Sequence, residues 1–315
     1  MIQVRNLQTL FSDYIKECRY SSRLRPETLR GYTEVFRHFS VMMPEVTEIR
    51  HLTTDMMTEF FKRMQTRERV VGKGTIKTGI KNSTVKTYWS KLNSFFEWLH
   101  KKMLVDENPL KNIKPPQPVY DDDRALKKED LHKIITAISL HSPNPLTFKR
   151  DMAMISLLIF CGLRKGEFIS LHIRDVDFEK ELLAVRGETS KSKKTRYIPM
   201  NPTLVMHLKE YIKERNARGY KSEYLIVSTI QDIGLSCHGL KHWVHRLIRL
   251  SGVQFHLHRF RHSFAVNLAM QNTGTTKIQK LMGHVDPRMT QTYLRSLTTE
   301  DLRDDVNRLN FDTMV

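Results

Sequence analysis

The stretch MAMISLLIFCGLRKGEFISL, residues 152–171, is where the fold of this chain can first be read. Its opening twelve residues are almost unbroken in apolar character, which predicts a buried helix that delivers Arg164 at its end. Upstream, Leu131, Ile134, Ile135 and Ile138 recur at three- and four-residue steps and predict another helix from about Leu126. Downstream, DVDFEKELLAVRGETSKSKKTRYIPM (175–200) alternates strand-like segments with turns and predicts a small antiparallel sheet. Further helices are expected over 202–215, 239–251 and 261–271. The reading is a mainly α-helical fold with a small antiparallel β-sheet.

The same half of the chain carries an ordered set of polar residues: Arg164, Lys191, His258-x-x-Arg261, Gly283-His284 and Tyr293. These types suit covalent attack on a phosphodiester. Charge on a phosphate in transfer is spread over its non-bridging oxygens, and two guanidinium forks match that geometry better than lysine does. A tyrosine hydroxyl is a weak nucleophile at neutral pH, so it needs an acceptor for its proton and a charge-neutralised phosphate. A leaving oxygen needs a proton, which a lysine among other cations can deliver. Taken singly, each residue has a plainer reading. Arg164 could be a helix-terminal charge, Tyr293 a half-buried core residue, and any lysine of KSKKTR (191–196) a solvated turn residue. His256, His258 and His262 could hold a metal, but neither a helical HExxH nor cysteine pairs accompany them, so no metal is assigned.

The segments CGLRKGEFISL (161–171), KSKKTRYIPM (191–200), HLHRFRHSFA (256–265), LMGH (281–284) and TQTYLRSL (290–297) resemble, in order and spacing, the signature boxes of the tyrosine recombinase (phage integrase) family. The likeness spans roughly residues 125 to 297 and is of the Xer-like, two-domain type. It implies a helical, SAM-like core-binding domain followed by a tyrosine recombinase catalytic domain. It also implies that Arg164 and Arg261 bind the scissile phosphate, with Glu167 as the acidic partner in the R-x-x-E turn. Lys191 is implied as general acid, His258 as proton acceptor or donor, His284 as a phosphate hydrogen-bonder, Tyr293 as nucleophile and His262 as a supporting residue. The lysine hairpin reads Gly187-Glu-Thr-Ser-Lys191 where many relatives have Gly-Lys-Gly. Counting back from Arg196-x-x-Pro199 favours Lys191 over Lys193 or Lys194. The implied activity is site-specific recombination through a 3′-phosphotyrosyl intermediate, without cofactor, metal or ATP. The implied assembly is a tetramer on two duplexes, with accessory proteins compatible. Type IB topoisomerase-like relaxation and non-enzymatic DNA binding are the competing readings.

Composition agrees with a polyanionic partner. Lys and Arg number 52 against 34 Asp and Glu in 315 residues, a formal charge of +18. That length suits about two domains of roughly 150 residues. The three cysteines, Cys18, Cys161 and Cys237, lack metal-ligand spacing and are odd in number, which predicts a reducing compartment and a cytoplasmic protein; the expected DNA partner makes it nucleoid-associated. The first twenty residues carry acids early and contain no uninterrupted apolar core, so neither a signal peptide nor a membrane span is expected.

The N-terminal half reads as helices. Leu7, Leu10, Phe11, Tyr14 and Ile15 form one amphipathic face, and a second helix follows Pro26 with Leu29, Tyr32, Val35, Phe36 and Phe39. A third is expected over 54–64. Residues 70–81, with three glycines among Lys73, Lys77 and Lys81, read as a flexible basic loop. After an N-cap at Asn82-Ser83, a helix carries Val85, Tyr88, Leu92, Phe95, Phe96 and Leu99 on its core side, with Lys86 and Lys91 elsewhere. Lys73, Lys77, Lys81, Lys86 and Lys91 are the candidate DNA contacts, and such contacts set position and affinity rather than sequence preference. Four prolines over 109–118 and the acidic run after them predict a linker. The expected organisation is 1–114 as the helical DNA-binding domain, 115–124 as the linker and 125–315 as the catalytic domain. The two halves are expected to clasp duplex DNA. Beyond Thr298, Leu302, Val306 and Leu309 predict a capped amphipathic helix that docks on its own domain or on a neighbouring protomer.

Overall fold

Aromatic residues at helical spacing dictate the first half of the structure, a computed structural model that describes residues 6–72, 74–117, 125–190 and 193–294. Helix α1 (Leu7–Tyr20) starts where the Asn6 side chain accepts a hydrogen bond from Gln8 N at 2.8 Å. It buries Leu7, Leu10, Phe11, Tyr14 and Cys18. Helix α2 (Pro26–Met42) opens with proline in its first turn, and α3 (Thr54–Thr66) is capped by Thr53. Strands β1 (Glu68–Val71) and β2 (Thr75–Thr78) then form an antiparallel pair, and α4 (Asn82–Lys101) closes the bundle. Phe11 stacks on Phe36 with ring centroids 4.0 Å apart, and Phe95 meets Phe11 at 4.9 Å. Each fully buried aromatic of this kind contributes about 2–3 kcal/mol. The aromatic stripe of α4 is core.

Two expectations need correction. Residues 70–81 are not a loop but mostly a β-hairpin: Val70 pairs with Ile76 and Arg69 with Lys77, because β-branched residues flank a glycine turn. The cap of α4 is Lys81 rather than Asn82 or Ser83, with no side-chain cap hydrogen bond.

In the second half, α5 (Lys128–His141) precedes the apolar helix α6 (Pro145–Cys161), which is buried on most sides and packs against two later helices. The short α7 (Lys165–Ile169) follows directly. Strands β3 (Val176–Asp177), β4 (Leu182–Val185) and β5 (Arg196–Pro199) form an antiparallel sheet in that order. Then come α8 (Pro202–Ala217), α9 (Cys237–Ser251), α10 (Leu257–Met270), α11 (Thr275–Met282) and α12 (Pro287–Leu294). Helix α8 and helix α10 are the two that cover α6. Helix α10 begins four residues before the expected 261, so His258 and Arg261 share one helix at i and i+3.

The chain divides by contact into two compact units, 1–120 and 121–315, each with its own core. The acidic part of the expected linker (118–124) and the expected C-terminal helix lie outside the described residues. No described helix is long and apolar enough to cross a membrane.

Candidate active site

The apolar helix α6 ends at Gly162, which takes a left-handed conformation (φ 53°) and lies against the Phe264 ring; a Cβ built there would stand 2.4 Å from that ring. Only glycine satisfies both conditions. The turn places Arg164 at the N-cap of α7, and Glu167 reaches back from the third position of that helix. Its Oε2 accepts from Arg164 N at 3.0 Å and its Oε1 from Arg164 Nη1 at 2.9 Å.

Glu167 is 1% exposed and holds more than Arg164. Arg196 of β5 donates from Nη1 and Nη2 to the two carboxylate oxygens at 3.1 and 2.8 Å, and Ser190 Oγ donates at 3.2 Å. Burial alone would raise the Glu167 pKa. The hydrogen bonds and charge of Arg196, with the backbone N–H and charge of Arg164, outweigh it and bring the pKa down to about 2. A permanent carboxylate therefore ties α7 to the sheet and to the hairpin residue immediately before Lys191. Lys191 itself lies outside the described residues.

Arg261 closes the other side. Its Nη1 donates to Gly162 O, and its Nη2 donates to Met282 O at 2.7 Å and meets His284 Nε2 at 2.8 Å. Arg164 Nη2 reaches the next carbonyl, Gly283 O, at 3.4 Å, and Arg196 Nε donates to Leu281 O at 2.8 Å. Three arginines from α6–α7, β5 and α10 thus converge on three successive carbonyls at the end of α11. Guanidinium can only donate, so His284 Nε2 must accept from Arg261, and the ring proton sits on Nδ1, 2.8 Å from Thr290 Oγ1 on α12. Burial, then the charges of Arg261, Arg164 and Arg196, push the His284 pKa down to about 3, so the imidazole is neutral. Three arginines against one carboxylate leave a surplus of two positive charges, which suits an anion with several oxygens.

Access differs among these groups. Arg164 is partly exposed and His258 is exposed, whereas Arg261, His262 and His284 are buried. Both ring nitrogens of His284 are engaged within the protein, with Thr290 holding α12 against it. Position 293 lies on α12 one turn beyond Thr290, and the side chain of Tyr293 lies outside the described structure. Arg196 is the functional residue that sequence reasoning used only as a register mark. Its signal was present: in the alternating burial of β5, Arg196 and Ile198 face inward while Tyr197 faces out, and a charge on a buried face requires a partner.

Residues 124–300 match the profile of the phage integrase family. The chain belongs to the phage integrase family. It is a tyrosine recombinase of the Xer-like type, an enzyme that cuts and rejoins DNA. A tyrosine recombinase of Thermosipho africanus is 28% identical over 297 residues, covering 90% of this chain and 93% of the relative. The tyrosine recombinase XerA of Thermococcus kodakarensis is 31% identical over 229 residues, covering 72% and 75%. Among solved structures, the integrase of transposon Tn1549 in complex with transposon right-end DNA superposes with a TM-score of 0.75 at 19% identity, covering 97% of this chain and 99% of that one. A lambda integrase dimer bound to a core site gives 0.69 at 19% identity, covering 92% and 95%. Both establish likeness of fold.

In this integrase the lysines named from the sequence are scattered in character. Lys77, Lys81 and Lys86 are exposed, and Lys73 lies outside the described residues. Lys91 instead lies over the Tyr32 ring, 4.3 Å from its centroid, and packs beside Gly31. The recombinase also has an open cavity of about 540 Å³ beside His284, lined by Lys194, Arg196, Gln279 and Lys280 among others.

Proposed function

We propose that the chain carries out site-specific recombination on duplex DNA, with Tyr293 as nucleophile. Tyr293 Oη attacks the scissile phosphorus, the bond from phosphorus to the 5′ oxygen breaks, and a 3′-phosphotyrosyl link forms. The tyrosine proton passes to His258, and Lys191 protonates the leaving 5′ oxygen. A 5′ hydroxyl from a partner duplex then attacks the phosphotyrosine and reverses the step, so the bond energy is retained and ATP is not consumed. Arg164 and Arg261 hold the non-bridging oxygens, Glu167 and His262 support them, and His284 hydrogen-bonds the phosphate.

The observation that carries this reading is the convergence of Arg164 and Arg261 on the adjacent carbonyls of Gly283 and Met282, directly before His284. Arg261 and His284 are buried, so a phosphate reaches them through a local rearrangement, and withdrawal of Thr290 would free the Nδ1–H that it now accepts. Residues 1–114 serve as the core-binding domain and 115–124 as the linker. Lys73, Lys77, Lys81 and Lys86 supply phosphate contacts; Lys91 does so only by leaving Tyr32. The working assembly is a homotetramer on two DNA sites in the cytoplasm, at the nucleoid; the lambda integrase of similar fold is a dimer on its core site. Relaxation of the type IB kind is not favoured, since the curated relatives are recombinases.

The test is covalent capture. A duplex nicked near the cleavage position should trap the wild-type chain on the 3′ end, and peptide mapping should find the nucleotide on the peptide containing Tyr293. Tyr293→Phe removes one oxygen and should abolish the adduct. An adduct that persists in that variant would refute the assignment.

A further inference from the structure

The hairpin β1–β2 is left standing by the fold. Its strands pair only with each other among the described residues, and a lone two-stranded ribbon is marginal in water without something to pack on or bind. Its base is nonetheless fixed. Gly79 N donates to Arg67 O at 2.8 Å, Arg69 Nε donates to Gly79 O at 2.8 Å, and Gly79 has φ 64° with Gln65 O only 2.2 Å from where a Cβ would be. The ribbon is thus anchored to the end of α3 and projects from it.

The outward face of this ribbon is unusual. Val70 and Ile76 are directly opposed in the register, and they are 71% and 63% exposed. Residues 66–81 carry five cations, Arg67, Arg69, Lys73, Lys77 and Lys81, against the single acid Glu68. Period-two alternation puts the Val70–Ile76 pair on one face and the Arg69–Lys77 pair on the other. That excess of cations favours a polyanion, and for a chain of the phage integrase family the polyanion at hand is duplex DNA. The major groove of B-DNA admits a two-stranded ribbon, its walls are phosphate, and its floor presents thymine methyl groups that apolar side chains recognise.

We infer that the β1–β2 ribbon is a groove-reading element, with Val70 and Ile76 on thymine methyls in the major groove and the flanking cations on phosphates. The inference rests on the reading of this chain as a recombinase of duplex DNA. It adds a sequence-reading element to a set of lysines that by themselves only set affinity.

The experiment uses the full chain and a random-sequence duplex pool. Duplexes enriched by wild type are resynthesised with uracil in place of thymine, which removes only the C5 methyl. Wild type should bind the uracil form of one cluster of positions about four- to fifteenfold more weakly, the scale of one or two lost methyl contacts. The Val70→Ser/Ile76→Ser variant changes exposed positions and should fold. It should bind the two forms alike. Lys77→Ala should lower the slope of log affinity against log salt by about one unit without altering the thymine preference. A double variant that keeps the wild-type ratio of thymine to uracil binding overturns the inference. So does a double variant whose only change is weaker self-association, which would make the ribbon a contact between chains. Covalent capture by wild type is scored separately, so a failure of the recombinase reading is distinguishable from a failure of the ribbon.

Discussion

Arg196 grips Glu167 with both terminal nitrogens, at 3.1 and 2.8 Å, and through that carboxylate the β-sheet is fixed to the turn that bears Arg164. Arg196 also donates to Leu281 O, so one side chain joins β5, α7 and the end of α11. Replacing it with methionine keeps the volume but leaves Glu167 short of a buried partner. The expected loss is about 3–5 kcal/mol of stability, read as a lower denaturant midpoint, with slower cleavage because the turn that bears Arg164 and Glu167 loses its tie to the sheet. Lysine cannot reproduce the two-pronged contact, so Arg196→Lys should recover only part of the midpoint. A wild-type midpoint in Arg196→Met would mean that the pair is dispensable.

Acid should destabilise the second unit in two stages. The pKa of His284 is lowered from 6.5 to about 3, so the unfolded chain takes up a proton that the folded one refuses, and stability present above pH 6.5 is lost as pH falls toward 3. The Glu167 pKa is lowered from 4.5 to about 2, so its contribution is present above 4.5 and lost as pH falls toward 2. Chemical denaturation at a series of pH values should show His284→Gln flattening the upper stage only. An unaltered upper slope in that variant would count against a buried neutral imidazole.

Thr290 accepts the Nδ1–H of His284 and so holds α12 in place. Thr290→Val keeps the shape and removes the acceptor, at a cost of about 1–3 kcal/mol for the stranded donor. Amide hydrogen exchange over 287–294 should then be faster than in wild type. Unchanged protection would show that α12 is held by packing alone.

Lys191→Ala should slow cleavage by about a hundredfold or more, the usual contribution of a general acid, with DNA affinity nearly intact. A 5′-phosphorothiolate leaving group needs little protonation and should restore the rate. If Lys193→Ala is the variant restored instead, the role belongs two residues further along the hairpin.

Limited proteolysis should first cut within 115–124, and each separated piece should bind DNA more weakly than the whole chain because phosphate contacts are divided between them. First cleavage inside 150–280 would place the boundary elsewhere.

Much of this was legible in the chain. Helix periodicity gave α1, α2 and the apolar α6, because burying one face requires apolar residues at fixed steps, and that pattern is local. The boxes around Arg164, Arg261 and His284 were legible through their resemblance to the family's signature, and the fold brings these three side chains together at the end of α11. The β1–β2 hairpin reads as loop in the sequence because its glycines and lysines outweigh a strand signal only four residues long on each side.

Sequence alone determined which residue types are available, their order, and the helical and strand periods that bury them. Tertiary structure alone decided that Arg196 is a partner of Glu167, twenty-nine positions away, and that His284 is neutral with its proton on Nδ1. A pKa and a tautomer depend on distances between groups far apart in the chain and on the water excluded around them, and neither quantity exists until the chain has folded.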